Sequence, residues 1–424
     1  MALLADLASS VAIRDCRLRI GCFLTDFGIF ASRQESANSG GLTGRAAYRV
    51  VQQQTAARKG TTTTVTPRLF EPLAIRGVSF RNRIWVSPMC QYMCLEGDGM
   101  PHDWHLVNAG TYAAGGAGLV MMEATGISPE ARITAECTGI WNDAQRDRWS
   151  RVVDFVHSQG AQAGIQLAHA GRKASDYRGF TAQAGRTKPP AEGGWMTVAP
   201  SPIPFTGMHA PIELDAAGIA KVLDDFGAAA QRAVDAGFDV VEIHAAHGYL
   251  LHQFLSPLSN ARTDGYGGSL QNRARLLLEV VDQIRNVIPE TIPLFVRFSG
   301  TDWVDGGWTV DETARVAGWA QQHGADFFDI SSGGLIGDIF ISVSPGYQVP
   351  LTERVRELGG VRASAVGKIT SPHQAESILT EGRADAIFLA RELTRDPHFA
   401  LRAAHELGAE IDYVPLPFRA TAWT

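Results

Sequence analysis

The sequence predicts an α/β fold: a single (β/α)8 TIM barrel with an N-terminal extension. Three observations point to it. Beyond Pro67, eight short apolar, β-branched runs alternate with longer amphipathic stretches. The runs are largely continuous in hydrophobicity rather than alternating, as strands covered on both faces must be. Eight β/α units in about 350 residues is the size of such a barrel with some loops enlarged. An open doubly wound sheet is the competing arrangement. It carries GxGxxG after its first strand, whereas Met89-Cys90-Gln91-Tyr92 stands there.

Taken in order, residues 1–64 form the extension and 65–424 the barrel. The leader is basic and rich in Ser and Thr, with eight Lys/Arg against four Asp/Glu, and ends in Thr61-Thr62-Thr63-Thr64. That composition fits an organelle transit peptide, hence a plastid or other organelle, or a disordered extension of a cytoplasmic enzyme. Residues 11–30 have the pattern of a short amphipathic helix. Strands are expected at 83–89, 118–124, 163–168, 239–244, 293–298, 326–331, 363–367 and 385–390, each bounded by Gly, Pro or polar clusters. Helices are expected at 217–236, 270–287, 310–323 and 372–380. The loop over 171–211, at ~40 residues, is too long for a plain connector and reads as a lid or channel wall.

Composition narrows the function. The chain has 424 residues, 45% hydrophobic and 19% charged, with net charge −6 and mean hydropathy −0.04. This balance gives no footing for nucleic-acid binding, and no apolar run is long enough to imply a membrane span. The five cysteines (Cys16, Cys22, Cys90, Cys94 and Cys137) form no CxxC pair. Zinc ribbons, iron–sulfur clusters and disulfide frameworks therefore fit poorly, and a reducing compartment is the simplest inference.

In a barrel of this kind chemistry gathers at the C-terminal strand ends. The first strand delivers Ser87-Pro88-Met89-Cys90-Gln91-Tyr92 there, the second Glu123-Ala124, and the third Gln166, His169 and Arg172-Lys173. The fourth delivers His244, His247 and Tyr249, the fifth Arg297, the seventh Gly367-Lys368 and the eighth Ala390-Arg391. Two histidines three apart can polarise a carbonyl oxygen or bind a metal, or be structural; no third ligand stands nearby, so no metal is expected. Tyr249 is a candidate general acid. Arg297 either pairs with a carboxylate or holds an electron-rich ligand. Cys90 lacks a neighbouring base to make it a nucleophile, which leaves packing or redox tuning. Gly367, Ala390 and Arg391 fall where barrels commonly bind phosphate, with Arg391 able to clamp it. A phosphorylated cofactor suits this set.

The stretch from His244-Ala245-Ala246-His247-Gly248-Tyr249 through Asn260-Ala261-Arg262-Thr263-Asp264-Gly265-Tyr266-Gly267-Gly268 resembles the signature of old yellow enzymes, in their thermophilic-like branch. Ser87-Pro88-Met89-Cys90-Gln91-Tyr92, Gly164-Ile165-Gln166-Leu167-Ala168-His169-Ala170-Gly171-Arg172-Lys173, Gly382-Arg383-Ala384-Asp385 and Ala390-Arg391-Glu392-Leu393 match the same branch. The resemblance runs from about Pro67 to Pro417. It implies a bound FMN reduced by NADPH or NADH, and hydride transfer from flavin N5 to the β-carbon of an activated alkene: an enone, enal, maleimide or nitroalkene. Ser87, Pro88, Met89, Cys90, Ala124, Gln166, Arg297, Gly367, Ala390 and Arg391 would contact FMN. His244 and His247 would bind the substrate carbonyl, Tyr249 would protonate, and Tyr92 would help seat the substrate. The C-terminal Pro417-Phe418-Arg419-Ala420-Thr421-Ala422-Trp423 resembles a tail that lends an arginine to a neighbouring subunit's substrate site, so a homodimer or homotetramer is expected. Three positions depart from the pattern: Ala390 replaces a common Gly, Lys368 replaces an apolar residue, and Arg419 is displaced by two relative to the Trp. Two alternatives stand beside this reading: a flavin-binding protein without turnover, and a Schiff-base aldolase using Lys368.

Overall fold

The computed structural model describes residues 66–421. The readings of the leader, including its helix over 11–30, lie outside those residues.

Eight parallel strands close into a barrel: β1 (Ile84–Val86), β2 (Leu119–Gly126), β3 (Gln162–Ala168), β4 (Val240–Ala245), β5 (Leu294–Ser299), β6 (Phe327–Ser331), β7 (Ala363–Ala365) and β8 (Ala386–Leu389). Each pairs with the next, and β8 returns to β1. All eight coincide with the expected runs, with ends shifted by a few residues. The first stops at Val86, short of the expected 89. Pro88 has no N–H for a ladder, so after Ser87 donates to the Leu389 carbonyl at 2.9 Å the chain turns out over the barrel mouth. β2 runs past Ala124 to Gly126, with a register shift between Met122 and Ala124.

The connecting helices form where capping and amphipathicity agree. Ala216–Asp235 starts at Asp215, whose carboxylate accepts from the Gly218 N–H, and buries Ile219, Val222, Phe226, Ala230 and Ala233 along one face. Val310–Gln322 opens with a Thr309/Glu312 capping box. Leu270–Val287 and Pro372–Thr380 open on Ser269 and Ser371. The long loop of 171–211 contains 3-10 turns at Gly171–Lys173 and Pro190–Glu192, and Val198–Ala199 pairs with Ile212–Glu213.

The barrel interior is layered by the two-residue period of its strands. At the N-terminal end an antiparallel hairpin, Leu73–Ile75 with Val78–Phe80, plugs the opening. Its Ile75 and Phe80 pack on Trp85, Leu119, Met121, Val240, Phe295, Phe327 and Phe388. Trp85 lies 5.2 Å from Phe327 and 5.4 Å from Phe388 between ring centroids, so this floor is a solid aromatic cluster. Two residues further along β1, β4, β5 and β6, past Trp85, Val240, Phe295 and Phe327, the inward positions become polar, as Ser87, Glu242, Arg297 and Asp329. Those are the residues the site is built on.

Among the described residues the core starts at Leu69 and Phe70, both buried. Deletion of residues 1–64 is therefore expected to leave a soluble, folded protein with its unfolding midpoint in urea unchanged. Loss of soluble protein on that deletion would assign the leader to the fold.

Candidate active site

Above the aromatic floor, neighbouring strands contribute one layer of buried polar groups. Gln166 of β3 is in register with Glu242 of β4, Arg297 of β5 with Asp329 of β6, and Asp329 with Ser364 of β7. Gln166 Nε2 donates to Glu242 Oε1 at 2.9 Å. Arg297 Nε lies 3.0 Å from Asp329 Oδ2, and Ser364 Oγ donates to Asp329 Oδ1 at 3.1 Å. Arg297 Nη2 also reaches Ser87 Oγ at 3.4 Å. The two readings of Arg297 are thus compatible: Asp329 neutralises it from within the barrel, while its guanidinium still lines the cavity at the mouth. An unpaired buried guanidinium would be costly, so the pair is a condition for having a cation there at all.

One layer higher, β4 ends in His244 and turns through His247 to Tyr249. The rings of His244 and His247 meet edge to face at 5.2 Å, and those of His244 and Tyr249 at 4.9 Å. His244 Nδ1 accepts from the Ala246 N–H at 3.2 Å, which leaves its other ring nitrogen, Nε2, to carry the proton. His247 sits at φ 58, a left-handed conformation that costs an unbranched residue about 1–3 kcal/mol. Its backbone N–H donates to Ser299 Oγ at 2.9 Å, its carbonyl accepts from Lys173 Nζ at 2.8 Å, and its Nε2 shares a 2.8 Å hydrogen bond with Ser331 Oγ. Gly248 completes the turn, because a Cβ there would fall 2.2 Å from the Gly334 oxygen. Beneath it His252 accepts from the Gly248 N–H at 2.9 Å and pairs with Asp302 at 3.1 Å, both side chains fully buried.

Burial, reinforced by the positive charge of Arg297, holds His244 and His247 well below the ordinary histidine range. Both are neutral N–H donors at physiological pH, not cations. Burial pushes the Tyr249 phenol well up, so it keeps its proton. Burial also brings Lys173 down to about 8, and its ammonium lies 5.1 Å over the Tyr249 ring.

The chain leaving β1 carries the next group. Cys90, Tyr92 and Tyr249 pack around a small cluster with Ala124, Ile133, Cys137 and Ala168. Burial, then Cys137 and Glu123, push the Cys90 thiol well up, which removes nucleophilic thiolate character and leaves packing or redox tuning. Tyr92 lies 5.5 Å from Phe180, a residue of the long loop that is 88% exposed. Glu123, at the shift in β2, accepts from the Gln91 N–H at 2.9 Å and fixes this segment. Pro88 and Met89 are half-buried beside it, and Met89 Sδ accepts from Thr394 Oγ1 at 3.6 Å.

A cavity of about 580 Å³ opens past β7 and β8, lined by Arg297, Gly367, Lys368, Ala390, Arg391 and Arg395 among others. Lys368 is exposed and donates to the Val343 carbonyl at 3.1 Å, so no buried amine exists there for a Schiff base. Arg419 is not brought to this cavity. It is exposed on the turn Leu416–Thr421, donating to the carbonyls of Val414 at 3.0 Å and Asp412 at 3.4 Å.

The structure therefore brings Ser87, Gln166, Arg297, His244, His247, Gly367, Ala390 and Arg391 around the barrel mouth, with Cys90, Tyr92, Ala124 and Tyr249 alongside. Sequence reasoning assigned no role to Glu242, Asp329, Ser299, Ser331 or Lys173. A signal for the carboxylates was present, since an acid two residues before a strand's last inward position is costly unless partnered. Among the described residues no group of three or more His, Cys, Asp or Glu is placed to hold a metal ion.

Comparison with known proteins agrees with this architecture. Residues 68–410 match the model of the NADH:flavin oxidoreductase / NADH oxidase family. The chain is 44% identical over 345 residues to an NADPH dehydrogenase of Bacillus subtilis, covering 81% of this chain and 96% of that one. It is 43% identical over 373 residues to an NADH:flavin oxidoreductase of Gibberella zeae, covering 83% and 89%. Among solved structures it resembles morphinone reductase, with TM-score 0.68, 30% identity and 83% and 92% coverage. It also resembles the old yellow enzyme homologue of Zymomonas mobilis, with TM-score 0.66, 28% identity and 84% and 96% coverage.

Lys173 joins the turn after His247 to the Gly334 backbone, donating to that carbonyl at 2.9 Å as well. Lys173→Met keeps the aliphatic stem and leaves both carbonyls without their donor. A loss of about 1–3 kcal/mol of stability is expected, measured by urea unfolding. An unchanged midpoint would show that the ammonium does not hold the turn.

Proposed function

The chain belongs to the NADH:flavin oxidoreductase / NADH oxidase family, of the old yellow enzyme type, and on that premise we propose that it reduces alkenes conjugated to a carbonyl or nitro group. It is an FMN-dependent NAD(P)H oxidoreductase acting on small molecules. The observation that carries the finer reading is that His244 meets, ring to ring, both the His247 imidazole at 5.2 Å and the Tyr249 phenol at 4.9 Å, so that two neutral imidazoles and a protonated phenol gather at the barrel mouth.

The residues present fit FMN. Lys368, Arg391 and Arg395 line the far end of the cavity with Glu392 as the acidic group among them, a donor set suited to a phosphate. Gly367, at φ 118, keeps the wall clear where a Cβ would fall 2.8 Å from Gln348 Nε2. Gly367, Ala390 and Arg391 would hold the phosphate, and Ser87 to Cys90, Ala124, Gln166 and Arg297 the ring. When bound, FMN accepts hydride from NADPH or NADH and supplies it to the alkene.

The chain's own groups do the rest. His244 and His247 donate to the substrate's carbonyl or nitro oxygen and draw electron density from the alkene. Because they are neutral, they stabilise charge only as it develops on that oxygen. Tyr249 gives its phenolic proton to the α-carbon, and Tyr92 with the 171–211 loop walls the substrate in. Turnover, rather than flavin binding alone, is favoured by this acid beside two donors, and the Lys368 on which the aldolase alternative rests is exposed and committed to the Val343 carbonyl.

Removing one donor to a developing oxyanion slows a reaction by about 100- to 1000-fold. With two donors on one oxygen, His244→Ala and His247→Ala are each expected to slow flavin reoxidation by cyclohexenone by ~100-fold, leaving reduction by NADPH less affected. Tyr249→Phe should slow reoxidation by less and leave enone binding intact. Anaerobic stopped-flow of each half-reaction is the measurement, and parental reoxidation in both His variants would overturn the assignment.

The depressed histidines carry a pH corollary. A group neutral well above its lowered pKa does not titrate between pH 6 and 8, so enone affinity for the oxidised enzyme should be flat there. A loss of affinity on raising the pH through 6.5 would mean that the donors are cationic.

A further inference from the structure

The polar layer under the mouth holds one cation and two carboxylates, and this surplus of acid is not used by the chemistry above. Asp329 takes Arg297 by direct contact at 3.0 Å and a hydroxyl from Ser364. Glu242, fully buried, has Gln166 Nε2 on Oε1, and its Oε2 has no partner. The groups facing it are Asp329 from β6, Arg297 from β5, Gln166 from β3 and, two residues further along its own strand, neutral His244. With Arg297 already committed to Asp329, an ionised Glu242 would be an uncompensated buried charge beside another carboxylate.

We propose that Glu242 is a redox-linked proton site: it takes up a proton from solvent when the flavin that Arg297 would help to hold is reduced. The inference rests on the flavin reading of this cavity. The electron balance is simple. NAD(P)H delivers two electrons and one proton, as hydride, to the flavin, which gains negative charge next to Arg297. That charge weakens the hold of Arg297 on the layer beneath, and a solvent proton neutralises the Glu242 carboxylate to the acid. No bond to carbon changes at Glu242. It is a positioning residue: it also orients the Gln166 amide, and its proton adjusts the charge under the flavin without touching substrate.

Burial first, then the Asp329 charge, push the Glu242 carboxyl up to about 8. The sign then follows. Below that value Glu242 is already an acid whether the flavin is oxidised or reduced, and reduction adds nothing. Between that value and the higher one the group would have beneath a reduced flavin, the oxidised enzyme carries carboxylate and the reduced enzyme acid, so reduction takes up one further proton per two electrons; above both values it again adds nothing.

The test is proton uptake by the holoenzyme, followed with a pH indicator during anaerobic photoreduction between pH 6 and 10. The parent is expected to bind up to one more proton per two electrons in a window opening near pH 8 than it does below pH 7. In Glu242→Gln the count should be the same across the range. Asp329→Asn removes the like charge and frees Arg297 for Glu242, so the onset should move to lower pH; this variant decides the matter should Glu242→Gln fail to load FMN. A parental proton count that is flat from pH 6 to 10, or an Asp329→Asn onset that does not move, would overturn the proposal. A parent protein that binds no FMN, or whose flavin NADPH does not reduce, would overturn the functional reading instead.

Discussion

The contact between Arg297 and Asp329 is the constraint on which the site rests. A guanidinium buried at the mouth of the barrel is tolerable only with a counter-charge in direct contact, and here that counter-charge comes from the next strand in register. The register is enforced by closure of the barrel, and closure by the layer below, where Trp85, Phe295, Phe327 and Phe388 fill the interior against the hairpin plug. A slip of one residue in β5 or β6 would exchange buried phenylalanines for outward-facing positions and separate the ion pair at once. Aromatic floor and polar layer are therefore one device.

The reactive layer inherits its properties from that arrangement. Arg297 sits in register with His244, and its charge helps to keep both imidazoles neutral. Neutral donors are what an enzyme needs when the oxygen it holds becomes negative only during reaction. The price of this geometry is the left-handed His247, held by Ser299, Ser331 and Lys173 from three other segments. Strain at a reactive turn thus persists because several elements over-determine it.

The 171–211 loop and the chain leaving β1 work at a different level. They are anchored through backbone, with Arg172 donating to the carbonyls of Ile203 and Leu335 and Glu123 accepting from Gln91. Their tips carry exposed aromatic surface such as Phe180 beside Tyr92. A base fixed by these bonds and an exposed apolar tip are consistent with the substrate wall proposed above.

What the sequence by itself determined was local. Eight continuous apolar runs of strand length specify eight buried strands, and the amphipathic stretches at 217–236, 270–287, 310–323 and 372–380 specify helices, because periodicity involves residues a few positions apart. His244, His247 and Tyr249 were legible for the same reason: they follow one strand and one turn. The tertiary structure alone decided their electrostatics and the partners of the cations. Asp329 could not be assigned to Arg297, nor Glu242 to Gln166 from 76 residues away, nor Lys173 to the His247 carbonyl from 74. Each of those pairings depends on which strand lies beside which and in what register, a property of the closed barrel and of no segment within it. For the same reason β1 ended at Val86 rather than 89: pairing with β8, together with Pro88, sets where a ladder stops, and neighbours in space are absent from a one-dimensional pattern.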